Sequence, residues 1–162
     1  MIHMELSKII ITETSEEQVV VLKEVEGSRA FPIVIGIWEA IAINRYVNRQ
    51  KTPRPMTHDL LTHTIRNLGF ALEKIVVNDL KEGVFFARLI LKKNGKSVEV
   101  DSRPSDAIAL AVQWNCPIYV EERVIEEVGK PGEGNPGGFS PEEPGEEGEE
   151  PEEGEEDLPP GS

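Results

Sequence analysis

The chain has 162 residues, 17 of them Lys or Arg and 30 Asp or Glu, for a formal net charge of −13. That length suits one domain with a sizeable core and is short for two. The charge is placed unevenly: from Pro131 onward there are 12 acidic residues and no Lys or Arg, leaving 18 acidic against 17 basic in residues 1–130, a net of −1. The lone Cys116 excludes an intrachain disulfide and a cysteine-rich metal site, and its flanks suit a small buried residue better than a nucleophile. The longest apolar run, "FPIVIGIWEAIAI", has 13 residues and contains Pro32, Gly36 and Glu39, too short to span a bilayer. "MIHMELSK" has neither a basic n-region nor an apolar h-region, so a soluble, cytoplasmic protein with no membrane partner is expected.

In chain order, "MELSKIIITE" and "QVVVLKEVE" are rich in β-branched residues and predict two strands around a polar turn. "AFPIVIG" predicts a third strand, "IWEAIAINRYVN" a helix, and "RQKTPRP" a Pro-punctuated loop. "THDLLTHTIRNLG" predicts a second helix, starting at Thr57 and stopping at Gly69, with Leu60, Leu61, Ile65 and Leu68 at helical spacing. Strands return in "FALEKIVVNDL" and "VFFARLILKK", and Asn94-Gly95 before "KSVEV" signals a hairpin, because a type I′ turn needs positive φ at both central residues. "SRPSDAIALAVQW" follows as a helix, then a short strand "PIYV" and a last helical stretch "EERVIEEVG". The segment 131–162, built of Pro, Gly and Glu, cannot bury enough surface to offset the entropy of ordering and is expected to be disordered. It is either a solvating appendage or a polyanion competing for the domain's own basic surface.

Strand-strand-strand-helix therefore occurs twice. An offset of 67 residues lays Glu39–Ile43, "EAIAI", on Asp106–Leu110, "DAIAL", and Asn48 on Asn115. An internal duplication over about 4–48 and 71–115 is the expected organisation of a domain 1–130, of class α+β with mostly antiparallel strands. Both helices are apolar on nearly every side, so each must lie between layers or form a subunit contact. The second option implies a homo-oligomer, with a dimer favoured.

The junction "VDSRPSDAIALAVQW" concentrates polar residues where the third strand of the second repeat meets its helix. One reading is capping: Ser102 or Ser105 as N-cap, Pro104 in the first turn, Asp106 at the positive end of the dipole. In the first repeat the positions matching Asp101, Ser102, Arg103 and Ser105 are Val34, Ile35, Gly36 and Trp38. A helix can thus start there without the polar cluster, which turns attention to a site. In "RQKTPRPMTHDLL", Thr57 suits an N-cap and Asp59 the first turn, while His58 at a helix start near Arg54 is placed to meet a phosphate or move a proton. Between Glu39 and Asp59 the charged residues are Arg45, Arg49, Lys51 and Arg54, and Lys92, Lys93 and Lys96 crowd the hairpin tip. Such concentrations in a neutral domain suit phosphate-backbone contacts.

"PRPMTHDLL" and "VDSRPSDAIALAV", in that order and separated by strands, resemble the bifunctional nuclease domain family, and the resemblance runs from Glu17 to Gly129. It implies a compact α+β domain, a homo-oligomer and an ability to degrade both RNA and DNA. Phosphodiester hydrolysis needs an activated water, neutralisation of the non-bridging oxygens and a proton for the leaving oxygen. Within the matching motifs, Asp101 and Asp106 suit ligands of Mg²⁺ or Mn²⁺, Arg103 a phosphate clamp and His58 an acid or base. Glu39 and Asp59 are further candidate ligands, Ser105 orients substrate, and Arg45, Arg49, Lys51 and Arg54 are candidate substrate-binding residues. Asp101 and Arg103 share a face only if the strand runs through both. A near-neutral domain is expected to bind RNA and DNA weakly, salt-sensitively and with little sequence specificity. The alternative is a non-enzymatic oligomeric module whose Ser-Arg-Pro-Ser-Asp turn holds an anion or a partner protein. Convergence of Asp101, Asp106 and His58 would favour hydrolysis, and scattered caps would favour binding.

Overall fold

The computed structural model describes residues 1–128. The expected disordered acidic segment lies outside the described residues. Eleven elements run β1 (Ile2–Ile10), β2 (Glu17–Glu24), β3 (Ala30–Gly36), α1 (Ile37–Val47), α2 (Thr57–Asn67), β4 (Ala71–Lys81), β5 (Val84–Lys93), β6 (Lys96–Ser102), α3 (Pro104–Trp114), β7 (Ile118–Val120) and α4 (Glu122–Val128). This is an α+β fold with a seven-stranded sheet in the order β3-β2-β1-β7-β4-β5-β6. Every pairing is antiparallel except that of β7 with β4.

The two β-β-β-α successions flank β7 in mirrored order, and the 67-residue offset carries α1 onto α3 end to end. Ile118 of β7 pairs with Met4 on one side and Ile75 on the other, so three residues join the halves. The sheet curls strongly. Phe31 of β3 and Phe85 of β5 have four strands between them in the sheet order, yet their rings stack with centroids 5.8 Å apart. The same curl draws the ends of the edge strands β3 and β6, and the helices that follow them, toward one another.

α3 fills the space inside the curl. Ala107 to Ala111 are all essentially inaccessible, and the small alanines let α1, β4 and β5 approach the helix closely. Of the two places expected for an apolar helix, α3 takes the one between layers, while α1 is covered on one side only within the single chain. It buries Ala40 and Ile43 but leaves Trp38, Ile41 and Val47 exposed.

Local chemistry explains the turns. Asn94 and Gly95 both have positive φ, as the type I′ hairpin requires, and Gly69 with φ 81° ends the turn after α2. Glu82-Gly83 forms a second positive-φ pair between β4 and β5. Gln18 is buried because its amide closes the β1–β2 turn, accepting from the Thr12 N–H at 2.6 Å and donating to the Ser15 carbonyl at 2.6 Å. Pro32 sits on the edge strand β3, where its missing N–H breaks no ladder. Burial pushes the Cys116 thiol up to about 11, which keeps it protonated and unreactive at neutral pH.

Candidate functional site at the two strand-to-helix junctions

β3 delivers α1 at Ile37 and β6 delivers α3 at Pro104, so the curl brings two equivalent junctions into contact. Across that contact Arg103 reaches Glu39, its Nη2 donating to Oε1 at 2.8 Å. Arg103 also grips Asp106 with a bidentate fork: Nε donates to Oδ2 at 2.7 Å and Nη2 to Oδ1 at 3.0 Å. From the third element, the start of α2, His58 Nε2 lies 2.9 Å from Asp106 Oδ1. Glu39, Arg103, Asp106 and His58 thus form one network from three chain segments. They line a cleft of about 620 Å³ with Trp38, Ile41, Met56, Thr57 and Leu61.

The expected capping holds in part: Pro104 opens α3, Asp106 and Asp59 lie in the first turns of α3 and α2, and Asp59 accepts the Met56 N–H at the start of α2, but the N-cap positions fall to other residues. The N-cap of α3 is Arg103 and that of α2 is Met56, and neither supplies a side-chain cap bond. Ser102, Ser105 and Thr57 therefore do not take the N-cap roles expected of them. Ser102 Oγ donates to the Arg103 carbonyl at 2.9 Å, and Ser105 is buried with 6% exposure. Gly36, before α1, leaves room for the Glu39 carboxylate, since a Cβ there would collide with its Oε2.

Asp106 is the electrostatic centre. The hydrogen bond from His58 chiefly, opposed by burial and reinforced by Arg103, holds its carboxyl at about 2, below its ordinary 3.8. A depressed carboxyl stabilises the fold above its unfolded pKa, and the effect is lost as pH falls from about 4 toward 2. Urea midpoints between pH 5 and pH 2 are expected to fall more steeply for the native protein than for Asp106→Asn. The difference is on the order of 2 kcal/mol across that window, and parallel slopes would contradict it.

Asp59 lies beside this network and has a different task. It is 9% exposed. Its Oδ2 accepts from Arg45 Nη2 at 2.9 Å and from the Met56 N–H at 2.8 Å, while Oδ1 accepts from the Tyr46 hydroxyl at 2.8 Å and Gln113 Nε2 at 3.0 Å. Burial pushes its pKa up, but the Met56 amide, the Tyr46 hydroxyl and Arg45 together outweigh burial and leave it below the ordinary value. All its acceptor sites are filled. The same bonds tie α1, α2 and α3 together, and burial with Asp59 raises the Tyr46 hydroxyl.

The remaining expected residues divide. Asp101 is not drawn into the network: β6 stops at Ser102, and Asp101 stands opposite Arg88 on the exposed edge strand. Arg45 is committed to Asp59, whereas Arg49, Lys51 and Arg54 are exposed on the α1–α2 loop with no ion pair among the described residues. At the hairpin, Lys92 pairs with Glu73, and Lys93 donates to the Leu68 carbonyl at 2.7 Å, capping α2. Those lysines serve the fold. Among the described residues no three His, Cys, Asp or Glu side chains are grouped to hold a metal ion. The Arg103 guanidinium fills the space between the carboxylates of Glu39 and Asp106, the oxygen donors a divalent ion would need. As arranged, these residues do not fit a resident Mg²⁺ or Mn²⁺.

Sequence reasoning passed over the apolar wall of the cleft and the Tyr46 and Gln113 donors. Trp38 and Ile41, at i and i+3 on α1, carried a readable signal, but as helix-face spacing they point equally to a core.

A model of the bifunctional nuclease domain matches residues 20–133, close to the span of the resemblance read from the motifs. Over 121 residues the chain is 40% identical to an uncharacterized protein of Mycobacterium tuberculosis, covering 75% of this chain and 72% of that one. Bifunctional nuclease 1 of Oryza sativa subsp. indica is 25% identical over 123 residues, 74% of this chain and 37% of its own length. Bifunctional nuclease 1 of Arabidopsis thaliana is 27% identical over 107 residues, 64% of this chain and 33% of its own. The chain thus spans only about a third of the plant proteins. The matched residues contain both strand-to-helix junctions and all of α2. With a family model covering well over half of its length, the chain belongs to the bifunctional nuclease domain family.

Proposed function

We propose that the protein hydrolyses phosphodiester bonds in RNA and DNA, with His58 moving the proton. The observation that carries this reading is the His58–Asp106 pair, 2.9 Å long, set in a cleft against Arg103. Asp106 is ionised and accepts only, so His58 Nε2 carries the hydrogen and Nδ1 is left as the basic nitrogen. A water placed against phosphorus gives its proton to Nδ1 as its oxygen bonds to phosphorus. As the ester P–O bond breaks, the proton taken up by Nδ1 is passed through solvent to the departing oxygen, which leaves as a hydroxyl and returns His58 to its neutral form. Arg103 supplies a planar pair of N–H groups to the non-bridging oxygens, whose charge grows as the bond breaks. Its competition with Glu39 and Asp106 tunes that grip, because a phosphate must draw the guanidinium from two carboxylates. No step is routed through a metal.

The test is cleavage of labelled single-stranded RNA and DNA by the full chain, with EDTA, Mg²⁺ or Mn²⁺. Cleavage that persists in EDTA supports the dyad as drawn. Cleavage absent under every condition would overturn hydrolysis and favour an anion-binding module.

Arg49, Lys51 and Arg54 are proposed to track the phosphate backbone beside the cleft. Replacing all three by Gln is expected to raise KM with kcat within about threefold. For single strands, each lost contact should also make the slope of log K against log salt shallower by about 0.7. An unchanged salt slope would remove these residues from the substrate path.

A further inference from the structure

We propose that Trp38 is a base-stacking platform and that the cleft takes single-stranded rather than duplex nucleic acid. The inference rests on the phosphodiesterase reading and adds a substrate class to it. Trp38 is the second residue of α1, is 77% exposed, and lines the same cleft as His58, Arg103 and Asp106. Among the described residues its indole has no ring, cation or hydrogen-bond partner. The other tryptophan differs. Trp114 donates Nε1–H to Thr62 at 3.2 Å and lies against the Arg66 guanidinium, so it is spoken for by the fold.

The fold does not need an indole at position 38. Under the 67-residue offset its counterpart is Ser105, a small buried residue at the same place in α3. Around Trp38 the cleft wall is apolar, with Ile41, Met56 and Leu61 all exposed. Arg49, Lys51 and Arg54, on the loop joining α1 to α2, line a neighbouring hollow that shares Arg45 with this cleft and have no ion-pair partner among the described residues. A flat aromatic face next to a phosphate clamp, with free cations alongside, is the combination that binds single strands: bases stack while cations follow the backbone.

Two arguments select the occupant. In a duplex each base face is already covered by its neighbours, so an indole reaches one only after unstacking, whereas a single strand offers faces freely. A second copy of the chain meeting this patch by two-fold symmetry would bring two rims of the same positive sign together. A polyanion meets opposite charge there.

The experiment uses the full chain carrying His58→Ala, so that binding is read without cleavage. Its probes are a 12-nucleotide single strand, the matching duplex and an abasic strand of equal length. Indole fluorescence quenching and anisotropy of the labelled strand are followed together. The single strand is expected to bind at least about tenfold more tightly than either other probe. Adding Trp38→Ala should weaken single-strand binding about tenfold to hundredfold and remove most of the quenching. Trp38→Phe should retain most of the affinity, and duplex and abasic binding should be unchanged by either substitution. Equal affinity for all three probes, or single-strand binding indifferent to Trp38→Ala, would overturn the proposal. So would loss of a concentration-dependent dimer in Trp38→Ala with single-strand binding intact, since the indole would then be a subunit contact. Failure of hydrolysis is read separately, from the unsubstituted chain: base-dependent binding without cleavage would sink the phosphodiesterase reading alone.

Discussion

His58→Ala is expected to lower kcat for cleavage of single-stranded RNA or DNA at least about a hundredfold, with the fold intact. General acid–base groups contribute roughly a hundredfold to ten-thousandfold, and this cleft places a single imidazole on Asp106. Removing the ring leaves Asp106 still gripped by Arg103, so no carboxylate is stranded and far-UV circular dichroism should be unchanged. Asp106→Asn should cost a comparable factor, because an amide can offer N–H to Nε2 and so favour the wrong tautomer. The decisive comparison is the double variant. If the two residues act as one unit, it is no slower than the worse single variant. Multiplicative losses would mean that His58 and Asp106 work apart, and the dyad would have to be abandoned.

Asp59→Ala is expected to act on stability rather than chemistry. It strands the Arg45 guanidinium in a half-buried site and leaves the Tyr46 hydroxyl and Gln113 amide without their shared acceptor. Breaking a buried pair from one side commonly costs about 3–5 kcal/mol, and a cost of about 3 kcal/mol corresponds to a fall in Tm of about 10 °C. The contrasting role, ligand to a divalent ion, makes a different forecast. Under it, Mn²⁺ or Mg²⁺ would raise the Tm of the unsubstituted chain, and Asp59→Ala would abolish the rise. A Tm that falls in the variant and does not respond to either ion in the unsubstituted chain identifies Asp59 as an anchor.

These forecasts separate residues that looked alike in the sequence. Asp59, Asp101 and Asp106 were each an acid near a helix start or strand end, with His58 or Arg103 close by in the chain. In the fold they part company. Asp106 joins His58 and Arg103, Asp59 is saturated by four donors, and Asp101 stays on the outer edge of β6. The helix starts misled in the same way. Ser102, Ser105 and Thr57 have capping chemistry, but β6 continues through Ser102 in register with Ala87 and delays α3 until Pro104. Tertiary pairing of the strand overrode the local preference for a cap.

The sequence by itself determined the succession of elements. β-branched alternation, the positive-φ demand at Asn94-Gly95, the stop at Gly69 and the prolines around Arg54 all act within a few residues. It also marked α1 and α3 as helices whose apolar faces need covering, without saying which of the two the sheet would enclose. Only the tertiary structure decided that Glu39 and Arg103, 64 residues apart, would touch. It alone decided which of two similar apolar helices would keep an indole in the open. Those outcomes depend on how far the sheet curls across seven strands and where β7 inserts between its halves. Side-chain pairing across that curl is set by the packing of the whole core, and no short stretch of residues encodes it.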